Sequence, residues 1–207
     1  MNRIISQKKI CIVCEGYEEF DYLTRLKECD VWNIIYSVKI KNAQSIDNIF
    51  AVYQNEFQND NYDLIVVYCD TEMPPYNQFK LLNKKINHFH QNDVAKDIVF
   101  FANPCTMQII LSHFQKISLS TNSKSKNATL IRKLTGVTEY NAKKSQRAAI
   151  NAKVDSKNYL TMKENISDLA TDSGICPATN FITLLNYLES DDSQWVTRLA
   201  NKILNDD

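Results

Sequence analysis

With 3 glycines and 4 prolines in 207 residues, the chain lacks the punctuators that many short strands and tight turns require, which argues against an all-β sandwich or barrel. It also lacks any run approaching the roughly 18 consecutive apolar residues of a membrane span. The opening MNRIISQKKICIVCEG places charge and a turn where a secretory leader would carry its cleavage site. A cytoplasmic protein with no membrane partner is the expectation. At 44% hydrophobic and 23% charged residues, the composition excludes a chain disordered over most of its length.

An excess of either charge is missing as well, since 24 Lys and Arg stand against 24 Asp and Glu. The balance hides an asymmetry. Residues 1–114 carry 11 basic against 14 acidic groups, 115–157 carry 10 against 2, and 158–207 carry 3 against 8. A middle segment of net charge +8 suits a polyanion such as nucleic acid, while the plain alternative is a solvated face paired with the acidic ends of the same molecule. The acidic last 50 residues are, in turn, a candidate surface for a partner protein.

Of the six cysteines, Cys11, Cys14, Cys69 and Cys105 lie in or beside apolar runs, where a reduced thiol behaves as a small hydrophobe. Disulfides are not expected. Cys11-x-x-Cys14 resembles half a zinc site, but residues three apart on a strand point to opposite faces and no second such pair follows.

Along the chain, apolar periodicity predicts alternating strands and helices. Strands are expected over 8–16, 31–40, 62–72 and 97–104, and helices over 17–28, 45–59, 76–89 and 105–114. Four βα units imply a parallel sheet with helices on both faces. Beyond residue 114 the texture changes. SLSTNSKSKN (118–127) reads as a mobile loop, and helices are expected over 128–135, 142–153, 156–170, 178–188 and 194–204, with Gly136, Gly174 and Pro177 at their boundaries. The expected organisation is an α/β core, 1–115, followed by a basic loop and helical extension, 116–207.

In an open parallel sheet, chemistry sits beyond the carboxyl ends of the strands. Two expected strands end in acidic residues: the first in Glu15-Gly16, with Glu18 and Glu19 in the next turn, and the third in Asp70-Thr71-Glu72. Carboxylates facing each other across strand tips build an oxygen-rich site for Mg²⁺. Residues 70 and 72, two apart on a strand, leave it on one face, and Gly16 permits a sharp turn. The same residues also serve as caps and turn formers, and Glu18 and Glu19 suit a helix N-terminus whatever else they do.

ICIVCEGYEEFDYL followed some 55 residues later by LIVVYCDTE resembles the TOPRIM domain, and ANPCTMQIILSHF resembles the SNPCFExWLLxHF block of its RloB-like members. Asn103, Pro104, Cys105, Leu111, His113 and Phe114 fall on matching positions, and the likeness spans about 8–114. The resemblance implies a TOPRIM-like, Rossmann-like α/β fold and a nuclease that uses Mg²⁺ (or Mn²⁺) to hydrolyse phosphodiester bonds of RNA or DNA, in phage defence and with a defence-system partner protein. Carried over by position, it makes Glu15 the general acid/base or metal-assisting carboxylate. Asp70 and Glu72 become metal-holding groups, with Gly16, Glu19, Asn103 and His113 in support. Lys124, Lys126, Arg132, Lys133, Lys143, Lys144 and Arg147 would hold the strand. The sequence departs from the block at Met107, where the family carries Glu, and at Glu72, where many members carry Asp. A degenerate TOPRIM module that binds nucleic acid or a partner without cleaving is therefore the competing expectation. For His113 a polar cap competes with a phosphate contact. His88 and His90, two apart on a helix, make a poor ligand pair. Tyr140 and Tyr159 are either packing residues or stacking platforms.

Overall fold

The computed structural model describes residues 7–204, so the first six residues of the opening segment and the last three of the extension lie outside it. Four parallel strands, β1 (Lys8–Cys14), β2 (Tyr36–Asn42), β3 (Leu64–Asp70) and β4 (Val99–Asn103), form a sheet in the order β2-β1-β3-β4, and a fifth, β5 (Ala178–Thr179), joins β4 antiparallel. The connections run through α1 (Tyr17–Glu28), α2 (Ile46–Gln58) and α3 (Asn77–His90) with the short α4 (Ala95–Ile98). After β4 come α5 (Met107–Ser112), α6 (Lys124–Thr135), α7 (Lys144–Asn151) and α8 (Ser156–Ile166), then α9 (Phe181–Glu189) and α10 (Gln194–Leu204). The protein is thus α/β, with a mostly parallel five-stranded sheet flanked by helices and compatible with a Rossmann-like arrangement. No helix among the described residues is long and apolar enough to cross a membrane.

The central strands are apolar without alternation because both their faces are covered. Ile10 to Cys14 and Val66 to Cys69 are fully buried. Burial pushes the Cys11 thiol up to about 12 and the Cys14, Cys69 and Cys105 thiols upward too, which keeps them protonated in the core. At the edge, β2 alternates buried and exposed residues, with Lys39 facing out. It lies several residues later than expected, because 31–35 are a connection in which the Asn33 N–H bonds the Leu188 carbonyl (2.8 Å).

Residues 116–207 supply part of the sheet as well as helices. Ala178 and Thr179, read from periodicity as a helix start, pair with Asn103 and Ala102. The next side chain extends the strand: Asn180 Oδ1 accepts from the Phe101 N–H (2.7 Å), and its Nδ2 donates to the Val99 carbonyl (3.0 Å). The expected mobile loop is pinned. Gln108 donates to the Ile117 carbonyl (3.0 Å) and accepts from the Leu119 N–H (2.7 Å), and α6 begins inside that polar stretch at Lys124. Gly136 closes α6 in the left-handed region (φ 73°), where glycine carries no Cβ penalty.

Candidate active site

β1 and β3 are neighbours, yet the crossover from β1 leads to β2 on one side while that from β2 returns across β1 to β3 on the other. Strand order reverses between them, and a doubly wound sheet opens a crevice beyond the carboxyl ends of such a pair. A cleft of about 310 Å³ lies there. Glu15, Glu18, Glu19, Asp70 and Glu72 line one side, and Asn122, Lys124, Tyr140 and Arg147 face them from the segments around α6 and α7.

Each carboxylate is held by a different device. Glu15 follows β1 and reaches across to the next strand, where its Oε2 accepts from the Asp70 N–H (3.1 Å). Asp70 Oδ1 accepts both the N–H (2.7 Å) and the hydroxyl (2.8 Å) of Thr106, just before α5. Glu19 occupies the buried stripe of α1 with Tyr22, Leu23 and Leu26, and its Oε2 takes the Gly16 N–H (2.9 Å). Gly16 itself is extended (φ −146°). Glycine is wanted there because a Cβ would come within 3.3 Å of Glu19 Oε2, and the turn makes no demand for a left-handed residue. Glu18 accepts from Tyr140 (2.6 Å) and pairs with Lys124 (3.2 Å).

Glu72 departs from the strand-based expectation. β3 ends at Asp70, Glu72 lies in the left-handed region (φ 61°), and Asn122 Nδ2 holds its carboxylate at 2.5 Å. Alternation along a strand therefore does not place it beside Asp70.

Crowding three acids in one desolvated place raises their proton affinity. Burial, then the charge of Glu19, pushes Glu15 up to about 8, against the hydrogen bond from the Asp70 N–H. Burial and then Glu18 push Glu19 up to about 7. Asp70 is raised well above the usual carboxylate range by burial and by Glu19 and Glu15, against the hydrogen bond from Thr106. Among the described residues no Lys, Arg or His pairs directly with these three, since Lys124 goes to Glu18 and Arg147 to Asp21 (2.7 Å).

Desolvated carboxyl groups with no directly paired Lys, Arg or His are the kind of oxygen donors a divalent cation would take, and such a cation would displace the protons that the metal-free site retains. The arrangement is not a closed cage, because no three acidic, Cys or His side chains among the described residues converge as a ready-made ligand set. The sequence-derived trio Glu15, Asp70 and Glu72 shares the cleft without forming such a set. A hydrated Mg²⁺ asks for less, because it takes one or two carboxylates and keeps several waters.

Two residues named in support lie elsewhere. His113 is 2% exposed and belongs to the core: Nε2 meets the Tyr22 hydroxyl (2.9 Å), Nδ1 meets Asn158 Oδ1 (2.8 Å), and burial lowers its pKa to about 4. Asn103 is buried and donates to the Ser173 (2.9 Å) and Ile175 (2.7 Å) carbonyls, fixing the approach to β5. Met107, where the resembled block carries Glu, lines the cleft and is 4% exposed. Tyr140 and Tyr159 are buried and tied by their hydroxyls to Glu18 and Glu189, so neither shows an open ring. His90 is buried against Tyr53 (2.8 Å). Of the basic residues, Lys124 and Arg147 enter the cleft wall, whereas Lys126, Arg132, Lys133, Lys143 and Lys144 are exposed and meet no carboxylate among the described residues.

Thr106 is a residue of the site that the sequence does not announce. A Thr directly before an apolar helix looks like a cap, but this hydroxyl bonds no α5 N–H: it donates to Asp70, and its oxygen also meets the Tyr68 hydroxyl (3.2 Å). Thr106→Val is expected to cost about 1–3 kcal/mol in chemical denaturation, with Thr106→Ser recovering most of it. Equal stability of the Val variant would show that the hydroxyl does not support Asp70.

The chain matches no family model, no curated protein and no solved structure. What fold and cleft define together is an α/β protein with a Rossmann-like sheet and an acidic crevice at its strand-order reversal.

Proposed function

We propose that the chain is a divalent-cation-dependent phosphodiester hydrolase of nucleic acid, of the TOPRIM, RloB-like type. The observation that carries this reading is that Glu15 and Asp70, beyond β1 and at the end of β3, share one cleft with Glu19 of α1, desolvated and without a directly paired cationic side chain among the described residues. Asp70, with Glu15 or Glu72, would hold Mg²⁺ or Mn²⁺. The cation, when bound, supplies an acidified water and neutralises charge on the scissile phosphate. Glu15, with a proton affinity near the working pH, is suited to give or take the proton as the bond breaks. Glu19 lends charge from α1 without leaving the core. The exposed Lys126, Arg132, Lys133, Lys143 and Lys144 draw the polyanion to the face beside the cleft.

The test is incubation of end-labelled RNA and DNA with the protein in Mg²⁺, Mn²⁺ or EDTA. Cleavage is expected with either cation, absent in EDTA and reduced at least about a hundredfold in Glu15→Gln. Cleavage that persists in EDTA or in that variant would overturn the proposal. Salt-dependent binding without cleavage under any condition would replace it with the binding-only module, a reading favoured by Met107 in place of a carboxylate.

A further inference from the structure

Tyr17, the first residue of α1, stands beside Glu15 and Gly16 in the cleft and remains 56% exposed, unlike the other large aromatics near the acids. Its ring is backed by the Arg147 guanidinium, 5.2 Å from the ring centroid. That guanidinium is fixed by Asp21 (2.7 Å) and by the Ala142 carbonyl. The ring is thus a supported plate open to the cleft mouth. Its surroundings change character across the cleft: carboxylates crowd the strand tips, while Met107, Ile131 and Ala142 add apolar surface on the other side.

We propose that this cleft takes one unpaired nucleotide, with its base stacked on Tyr17 and its phosphate turned toward the strand-tip acids. The inference rests on the phosphodiester reading above and names its substrate class as single-stranded or locally unpaired nucleic acid. A base inside a duplex is stacked on both faces and cannot offer one to a side chain unless it is extruded. The cleft volume of about 310 Å³ is at the small end for ligand sites and suits one nucleotide unit. Arg147 behind the ring stiffens it and adds cation–π attraction. Base identity should matter little, because stacking is sequence-tolerant and the amides of the cleft are already engaged. Asn122 is bound to Glu72 (2.5 Å) and Asn127 to the Thr121 carbonyl (2.8 Å).

The experiment is fluorescence anisotropy of the full chain with labelled oligo-dT, oligo-dA, oligo-U and a hairpin duplex, in Ca²⁺ and in EDTA, for wild type, Tyr17→Phe and Tyr17→Ala. Single strands are expected to bind at least about tenfold tighter than the duplex, with the three compositions within a few-fold of each other. Tyr17→Phe keeps this affinity, and Tyr17→Ala loses about tenfold or more on single strands while leaving the weak duplex binding unchanged. Tyr17 is exposed, so an unchanged melting temperature certifies the Ala variant as folded. Equal affinity for duplex and single strand, or an Ala variant that binds like wild type, would overturn the proposal. The two readings fail separately. Tyr17-dependent binding without cleavage sinks the hydrolase and keeps the subsite, whereas Glu15-dependent cleavage with Tyr17-independent binding does the reverse.

Discussion

Replacing Asp70 by Asn is expected to make the metal-free protein more stable and catalytically dead. Asp70 is the acid raised well above its usual range, by burial first and then by Glu19 and Glu15. An amide of the same shape removes that repulsion, still accepts from the Thr106 N–H and hydroxyl, and can donate its own N–H toward the neighbouring carboxylates. A melting temperature higher by at least a few degrees follows, since about 1 kcal/mol is worth roughly 2–4 °C in a domain of this size. The same change withdraws the charge that attracts the cation. Calorimetric titration with Mn²⁺ should therefore show saturable binding to the wild type and none to the variant, and cleavage should fall by about a thousandfold or more. Such a gain of stability with loss of activity belongs to a strained site that function maintains. A variant that melts lower, or that binds Mn²⁺ as well as wild type, would show that Asp70 acts mainly as a structural acceptor for Thr106.

Stability should also fall as the pH rises from about 6.5 to about 8, and Mg²⁺ should abolish that fall. Glu15 and Glu19 bind protons more tightly folded than unfolded, from 4.5 up to about 8 and about 7 respectively. The folded state then holds more protons across that interval, and its advantage shrinks as the pH climbs through it. The buried histidines oppose this lower down. His113 is lowered from 6.5 to about 4 and His90 is lowered too, so their contribution grows with pH until about 6.5 and then stops. Below 6.5 the two trends offset each other; above it the acids act alone. Glu15 and Glu19 alone account for a loss on the order of 3 kcal/mol across the upper interval, at about 1.4 kcal/mol per pKa unit per group, and Asp70 acts in the same direction. Urea titrations at pH 6.5, 7 and 8 measure it. In Glu15→Gln the fall should be smaller, with Glu19 and Asp70 carrying what remains. With the cation bound the carboxylates are already ionised and the curve flattens. A flat profile without Mg²⁺ would show that water reaches the cleft acids freely.

These expectations rest on residues that the chain announces with very different clarity. β1 and β3 are plain because burial on both faces demands unbroken apolar runs, and an acid closing each run is conspicuous. Glu15 and Asp70 were legible for that reason. Glu19 was legible as an acid near the site, yet its burial was not, because a carboxylate on the stripe of Tyr22, Leu23 and Leu26 carries no apolar signal of its own. Glu72 was misplaced by carrying strand alternation one turn beyond the strand's end at Asp70. β5 had no periodic signature at all, being two residues long and specified by what it meets, Ala102 and Asn103. Tyr17 and Thr106 escaped for a shared reason: what each does depends on a partner distant in the chain, Arg147 for one and Asp70 for the other.

The strand that finishes the sheet begins 75 positions after the end of β4, at Ala178 against Asn103. Closing so long a stretch of chain is entropically slow to achieve, although the equilibrium cost grows only logarithmically with its length. Until residues 178–180 arrive, β4 presents an unpaired edge, and open edges invite pairing with other chains. A chain emerging from the ribosome thus carries its acids early and the partner that squares off their scaffold late. The vulnerable interval in the life of this protein falls in biosynthesis, between the appearance of Asn103 and the docking of Asn180, and protection from aggregation is needed most during that interval.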